Sequence, residues 1–303
     1  MEQRALVIVN PVARGLPPGE ALRAGVSWLR ERGWQIETCL TSGSGVATEL
    51  AAEAARRAYD CVVAVGGDGT LNEALNGVAG TPTALAFVPG GTVNVWAREA
   101  GIPSEPVAAL RLLAEGKRRR LDAGRVGERF FLLMASAGLD SLVVADMNTR
   151  LKRRFGRFAY IGSAALHLRN YAGIHADVTL DGERLETSML MLVAGNTRSY
   201  GGMIEITRQA RADDGLLDVC LYSGVGREAF IGHFARTVLA QHVHHPAVLY
   251  RRVKSIELRT QVPLPVQADG EIAGETPVTI SVAPSAVSVV VPACPPSRLW
   301  RGE

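Results

Sequence analysis

The first 120 residues alternate between short apolar runs and longer segments in which apolar residues recur every three or four positions. The runs predict strands and the spaced segments predict helices. The predicted strands are 5–9, 35–40, 61–65 and 83–88, and the predicted helices are 20–32, 46–58, 71–78 and a helix from 93. Such alternation predicts a parallel sheet with right-handed crossovers, in which ligands bind outside the carboxyl ends of the strands.

After about residue 123 the pattern changes to strands. The predicted strands are 130–135, 176–180, 189–194, 217–222, 255–259, 278–282 and 287–291, with helices at 155–168 and 227–241. Asp181-Gly182 is typical of a hairpin turn between two of these strands. The pattern predicts a first domain at 1–123 and a mainly antiparallel second domain at 124–303, with the option that the last residues return to the first.

A glycine-rich loop, Gly66-Gly67-Asp68-Gly69-Thr70, directly follows the strand at 61–65. Glycines let backbone amides approach an anion, and Thr70 is predicted to cap the helix that starts at Leu71. The Asp68 carboxylate repels phosphates unless Mg²⁺, a proton or a hydrogen-bond network intervenes, so it indicates a metal-dependent phosphoryl transferase. Taken alone, the motif also fits a glycine turn with a helix-capping Asp.

Three other loops follow predicted strands: Asn10-Pro11, the loop from Thr41, and Gly90-Gly91-Thr92-Val93-Asn94. The carboxyl ends of parallel strands lie at one edge of a sheet. We therefore expect these loops to meet the glycine-rich loop in space.

The net charge of the 303 residues is only +3, so the distribution of the basic residues is more informative than the net charge. Basic clusters lie at 117–120, 150–157 and 251–254, and each one alone also fits a solvated face. The middle cluster is interleaved with apolar residues, which favours contact with an anionic membrane surface. No motif indicates nucleic-acid binding.

Four isolated cysteines carry no metal-ligand spacing, and three clustered histidines lack the carboxylate or fourth ligand that a metal site would need. The cysteines, Cys39, Cys61, Cys220 and Cys294, fit a reducing cytoplasm. His242, His244 and His245 are interpreted as solvent-exposed residues at a helix end. No apolar run approaches the roughly 20 residues needed to cross a bilayer, so any membrane contact is expected to be peripheral.

Together the motifs resemble the diacylglycerol kinase catalytic-domain family, which includes sphingosine kinases and bacterial kinases of diacylglycerol or phosphatidylglycerol. The resemblance covers nearly the whole chain. It rests on Asn10-Pro11, 66–73, 89–94 with Ala97-Arg98, 213–218, and Asp269-Gly270-Glu271.

The resemblance implies an amino-terminal α/β domain like those of NAD kinases and phosphofructokinases, followed by a carboxyl-terminal β-sandwich domain. It implies ATP as the phosphoryl donor. The positions that match the family's nucleotide-binding residues are Thr41, Gly66, Gly67, Asp68, Gly69, Thr70, Leu71, Asn72 and Thr92.

The resemblance also implies a metal site and a general base. Asp214, with the carbonyls of Arg211 and Leu216, matches a Mg²⁺ site that is structural or allosteric in relatives. Glu271 matches the proposed base, and Asp68 would organise the catalytic Mg²⁺ or a carboxylate network with Asp122. Many relatives carry Asp where this chain has Val95, so one carboxylate of that network is missing.

The sequence is therefore interpreted as a cytoplasmic, ATP- and Mg²⁺-dependent lipid kinase. It is expected to phosphorylate a hydroxyl of a diacylglycerol-like, sphingoid or glycerolipid acceptor at a membrane surface, as a monomer or a homodimer. NAD kinase, which shares Gly-Gly-Asp-Gly-Thr, is the nearest alternative enzyme. A nucleotide-binding regulatory protein without catalysis is the alternative from another class.

Overall fold

The computed structural model describes residues 3–146, 167 and 171–301. The chain divides into two compact units. The first comprises the described residues of Met1–Ala123, Arg211–Gly215 and Ala283–Glu303, and the second those of Gly124–Ala210 and Leu216–Val282. The sequence-based division into domains did not assign the short segment Arg211–Gly215 to the first unit.

The first unit is built on a parallel sheet. Its strands are β1 (Gln3–Val9), β2 (Trp34–Leu40), β3 (Cys61–Gly66), β4 (Ala84–Pro89) and the later part of β17 (Val278–Val291), with β5 (Lys117–Val126) pairing with β17. The order β17-β4-β3-β1-β2 is parallel throughout. The helices are α1 (Gly19–Arg30), α2 (Val46–Arg56), α3 (Asp68–Val78), α4 (Val95–Ala100) and α5 (Pro106–Glu115).

Burial explains this architecture. Every residue of β3 and β4 is buried, as their continuous apolar runs require in a sheet that is covered on both faces. Helix α3 buries Leu71, Leu75 and Val78, which recur at helical spacing. The prediction that Thr70 caps this helix is wrong, because the helix starts at Asp68 and Gly67 occupies the N-cap position.

The second unit consists mainly of antiparallel strands. They are β6 (Arg129–Phe131), β7 (Met134–Gly138), β8 (Ile174–Leu180), β9 (Glu183–Gly195), β10 (Ser199–Tyr200), β11 (Ile204–Glu205), β12 (Leu217–Ser223), β13 (Val248–Val253), β14 (Ser255–Thr260), β15 (Pro265–Ala268) and β16 (Glu271–Glu275). The helices are α6 (Leu139–Asp146) and α7 (Gly226–Val238), and 3₁₀ helices lie at His242–His244 here and at Ser297–Leu299 in the first unit.

Strand β9 belongs to both layers of this unit. Its first half pairs with β8, and its second half pairs with β7 on one side and β12 on the other. One layer therefore continues through β8, β14 and the start of β17, and the other through β7, β15 and β16. The inward-facing apolar residues of both layers form one core, which is the arrangement of a β-sandwich.

Two strand predictions need correction. The predicted strand 130–135 is divided into β6 and β7, because the N–H groups of Leu132 and Leu133 donate to the Asp269 carboxylate. The predicted strands 278–282 and 287–291 are one continuous strand, β17. The Asp181-Gly182 turn between β8 and β9 is confirmed, with φ of 48° and 92°.

Two further predictions concern the membrane. The basic cluster 150–157 and most of the predicted helix 155–168 lie outside the described residues. Among the helices that are described, none is long and apolar enough to cross a membrane.

The interpretation of His242 as a solvent-exposed residue is wrong. Its ring is fully buried, stacks on Tyr222 at 6.1 Å between centroids, and bonds through Nε2 to the Ile206 carbonyl at 2.8 Å. Burial lowers the pKa of His242 and of the neighbouring His233. The lowered pKa values favour the neutral form of both rings inside the second unit.

Replacing His242 with Gln should weaken the acid sensitivity of folding. Because the folded-state pKa is lowered, the unfolded chain binds more protons, so wild-type stability is lost as the pH falls below the ordinary value of 6.5. One such group contributes a slope of at most about 1.4 kcal/mol per pH unit. Denaturant unfolding between pH 5 and 7.5 measures this slope, and equal slopes for wild type and H242Q would contradict the assignment.

Candidate functional site

Three loops of the first unit meet at the carboxyl ends of β1, β3 and β4. The Gly90 N–H donates to the Gly66 carbonyl at 2.6 Å, and the Gly15 N–H donates to the Gly90 carbonyl at 2.9 Å. Asn10 donates from Nδ2 to the Thr70 hydroxyl at 3.0 Å. The expected convergence is confirmed for these three loops. The loop from Thr41 contacts the end of β1, where the Thr41 N–H donates to the Val9 carbonyl.

The loops after β3 and β4 are packed backbone against backbone. A Cβ atom at Gly91 would lie 2.6 Å from the Gly67 Cα, so only glycine fits there. The first N–H groups of α3, from Asp68 onward, belong to a helix terminus and have no intrahelical acceptor. Amides at a helix start beside a second glycine loop form a suitable site for an anion such as phosphate.

Asp68 ties the two loops together from its side chain. Its carboxylate accepts hydrogen bonds from the backbone N–H groups of Val95 at 3.1 Å and Trp96 at 3.3 Å, at the start of α4. Burial raises the pKa of this carboxyl, and those N–H groups oppose the shift by stabilising the ionised form. Asp68 thus fixes the start of α4 relative to α3.

Sequence reasoning did not assign a role to three side chains that shape this site. Asn94 has a φ of 51° and closes its loop by accepting from the Gly91 N–H and donating to the Gly91 carbonyl. Glu73 accepts from the Ala47 N–H at 3.2 Å and so positions the start of α2. Asn10 supports Thr70. All three residues lie within the family motifs at 10–11, 66–73 and 89–94, and this position was the indication of a role that the sequence offered.

Of the remaining predicted nucleotide-binding residues, two lie in loops after strands and two face the interior from α3. Thr41 follows β2 and donates its N–H to the Val9 carbonyl at 2.9 Å, and Thr92 is exposed in the loop after β4. Leu71 and Asn72 face inward with 2% and 3% exposure, and the Leu71 N–H donates to the Gly67 carbonyl. Their side chains support the loop from within.

Asp122 joins separate segments of the first unit. Its carboxylate accepts from the N–H groups of Gly215 at 2.6 Å and Ser285 at 2.7 Å, and its own N–H donates to the Ala212 carbonyl at 2.8 Å. These contacts hold the loop Arg211–Gly215 in place. The network of Asp68 with Asp122 stays a prediction.

The acidic loop at Asp213-Asp214 suits a cation. Burial raises the pKa of Asp213, and the nearby negative charges of Asp122 and Asp214 raise it further. A divalent ion would relieve this repulsion, and a carboxylate with turn carbonyls is the oxygen donor set that Mg²⁺ favours. Within the described residues, no group of three or more His, Cys, Asp or Glu side chains is arranged to hold a metal, so such a site would depend on carbonyls.

Glu271 lies in the second unit, directly after a two-residue turn. Asp269 and Gly270 have φ of 49° and 84° and connect β15 to β16, where Glu271 pairs with Ala268. The Asp269 carboxylate accepts from the N–H groups of three consecutive residues, Leu132, Leu133 and Met134, at 2.7–3.0 Å. The turn is therefore anchored to the chain between β6 and β7.

The Glu271 carboxylate is itself held by a cation. Arg129 donates from its guanidinium to Glu271 Oε2 at 2.5 Å and approaches the Ile272 carbonyl at 3.5 Å. The Glu271 side chain is 43% exposed, so its carboxylate is accessible from solvent while its direction is constrained. Arg129 has no motif in its neighbourhood, and sequence reasoning missed it.

Comparison with known families matches both parts of the chain. Residues 4–126 match the diacylglycerol kinase catalytic domain, and residues 134–291 match the YegS C-terminal NAD kinase beta sandwich-like domain. The chain belongs to the diacylglycerol kinase family. The predictions of an NAD kinase-like α/β domain and of a carboxyl-terminal β-sandwich are thereby confirmed.

Curated relatives of this diacylglycerol kinase family member cover almost its whole length. The diacylglycerol kinase of Staphylococcus saprophyticus is 30% identical over 91% of this chain and 92% of its own. That of Staphylococcus carnosus is 28% identical over 91% of each. A diacylglycerol kinase structure from Bacillus anthracis str. Sterne, at 24% identity, superposes with a TM-score of 0.77 over 96% of this chain and 97% of that chain.

Family membership confirms the prediction that this diacylglycerol kinase family member is an ATP-dependent lipid kinase. It does not favour the alternatives of an NAD kinase or a regulatory protein without catalysis.

Replacing Gly91 with Ala should separate the two glycine loops. The added Cβ would meet backbone rather than a flexible side chain, so we expect ATP affinity to fall at least about tenfold, or about 1.4 kcal/mol. Gly19→Ala is a matched control, because its Cβ would meet only the mobile end of Arg23 at 3.2 Å. Calorimetric ATP titration measures both, and wild-type affinity in G91A would contradict the phosphate site.

Proposed function

We propose that this lipid kinase transfers the γ-phosphoryl group of ATP to a primary hydroxyl of a diacylglycerol-like, sphingoid or glycerolipid acceptor. The relatives named diacylglycerol kinase support the first of these acceptor classes. The observation that carries the proposal is the presence of two sites in one chain: glycine loops that converge beside the start of α3, and a carboxylate held on an anchored turn.

The glycine loops would bind the ATP phosphates. Backbone N–H groups at the start of α3 and in the 92–94 segment of the second loop would place partial positive charge where the phosphates carry negative charge. The Thr41 and Thr92 hydroxyls would add contacts without adding charge. Asp68 keeps the two loops in register through Val95 and Trp96.

Mg²⁺ is proposed in two places. Asp68 would help to orient the ion that accompanies ATP, and Asp214 with the carbonyls of Arg211 and Leu216 would hold a structural ion. When bound, the ion at ATP neutralises the charge that develops on the transferred group.

Glu271 would act as the general base. It takes the proton of the acceptor hydroxyl as the oxygen forms its bond to the γ-phosphorus, and the bond from that phosphorus to the β-phosphate bridging oxygen breaks to release ADP. Its exposure allows a hydroxyl to approach, and Arg129 holds the carboxylate in one direction.

The acceptor lipid would be presented to the enzyme at a membrane surface. The basic segment 150–157 would rest on anionic lipid, and the enzyme would act as a monomer or a homodimer.

The test is transfer of labelled γ-phosphate from ATP to lipids in mixed micelles, with Mg²⁺ or with EDTA. Diacylglycerol, phosphatidylglycerol, sphingosine and ceramide form the panel, and NAD is the soluble control. We expect one labelled lipid that requires Mg²⁺. Glu271→Gln should lower kcat by about 10²–10⁴-fold, the usual contribution of a general base.

Label in NADP alone would overturn the lipid assignment. Full activity in E271Q would overturn the role of Glu271 while leaving the acceptor assignment intact. Glu275→Gln, at the other end of β16, is a matched carboxylate control that should keep the wild-type rate.

A further inference from the structure

A buried amide side chain supports the turn that carries Glu271. Gln267 lies in β15 with 3% exposure, and its Oε1 accepts a hydrogen bond from the Gly270 backbone N–H at 2.8 Å. Gly270 directly precedes Glu271. The position of the Gln267 amide therefore affects the position of the Glu271 carboxylate.

The surroundings of Gln267 select one of the two orientations of its amide. Its Nε2 donates to Ser136 Oγ at 2.7 Å and to Asp140 Oδ2 at 3.0 Å. A flipped amide would set its oxygen against the Asp140 carboxylate and its NH₂ group against the Gly270 N–H, which pairs acceptor with acceptor and donor with donor. Asp140 thus keeps Oε1 facing Gly270.

Asp140 is a carboxylate fixed inside the second unit. It is 4% exposed, lies in the first turn of α6, and also accepts hydrogen bonds from the hydroxyls of Ser136 and Tyr200. A buried carboxylate is tolerated only when its oxygens are hydrogen-bonded. Donors from β7, β10 and β15 meet this condition and hold the group in place.

We propose that Asp140 and Gln267 are positioning residues for Glu271. Asp140 orients the Gln267 amide, Gln267 binds the Gly270 N–H, and the turn then presents the Glu271 carboxylate in its working direction. The inference rests on the proposed role of Glu271 as the base, and it extends that role to two buried residues.

Asp140→Asn and Gln267→Met test the relay. Asn removes the charge that selects the amide orientation, and Met keeps an unbranched side chain of similar length while losing the amide. A displacement near 1 Å in a catalytic group costs about 10²-fold, so each variant should lower kcat by about 10- to 100-fold. The KM values for ATP and lipid should not change.

The deciding readout is the same substitution in a Glu271→Gln background. If Asp140 and Gln267 act through Glu271, they should cause no further loss once that carboxylate is gone. Equal losses in both backgrounds would show a general structural role and overturn the proposal. So would a raised KM for lipid, which would place Asp140 at the acceptor, or an unchanged kcat in both variants.

The matched control is Tyr250→Phe. The Tyr250 hydroxyl donates to Asp218 Oδ1 at 2.7 Å, and Asp218 is another fully buried carboxylate of the second unit. Y250F should keep the wild-type kcat, and melting curves would show whether each variant is folded. If D140N does not fold, Q267M carries the test. Wild-type activity in E271Q alone would refute the proposed base and this proposal with it.

Discussion

The close backbone contact between Gly67 and Gly91 is the constraint on which the first unit depends. A side chain at Gly91 would collide with the neighbouring loop, so the ends of β3 and β4 can meet only as bare backbone. That contact brings helix-start amides of α3 beside the second loop. Asp68 then fixes the arrangement, since its carboxylate binds the start of α4. Asp68, whose carboxylate indicates metal chemistry in the sequence, therefore also stabilises the contact between the two loops.

Two Asp-Gly turns of the second unit are anchored in the same way. Both Asp-Gly turns place the Asp carboxylate against backbone N–H groups of a neighbouring segment: Asp181 on Lys254 and Ser255, and Asp269 on residues 132–134. A two-residue turn with positive φ needs Gly at its second position, and the carboxylate adds an anchor. At the second turn this anchoring sets the direction of the following residue, Glu271.

The sequence predicted the elements whose pattern is local. Buried parallel strands read as continuous apolar runs, and the glycine loops follow them directly, so the α/β unit and its phosphate loops could be found. Several carboxyl-terminal strands, among them β8, β12 and β14, were predicted for the same reason, whereas β5 and β13 were not predicted. The break at Leu132 depends on the distant Asp269. Long-range contacts of this kind leave no local pattern.

Contacts between residues that are far apart in the sequence also explain why Arg129 and Gln267 were missed. Arg129 lies 142 positions before Glu271, and Gln267 lies 131 positions after Ser136. Their roles depend on strand pairing that periodicity does not specify. His242 was misread because its polarity suggested solvent, whereas tertiary packing against Tyr222 buries it. Family motifs identified residues by type, and the fold supplied their partners.

Amide hydrogen exchange with and without ATP and Mg²⁺ tests directly whether the two glycine loops bind the phosphates of ATP. We expect slower exchange concentrated in 67–70 and 92–94, because the N–H groups of Gly90, Gly91, Val95 and Trp96 are already hydrogen-bonded within the protein. Protection elsewhere, with these two segments unchanged, would contradict phosphate binding by the loops.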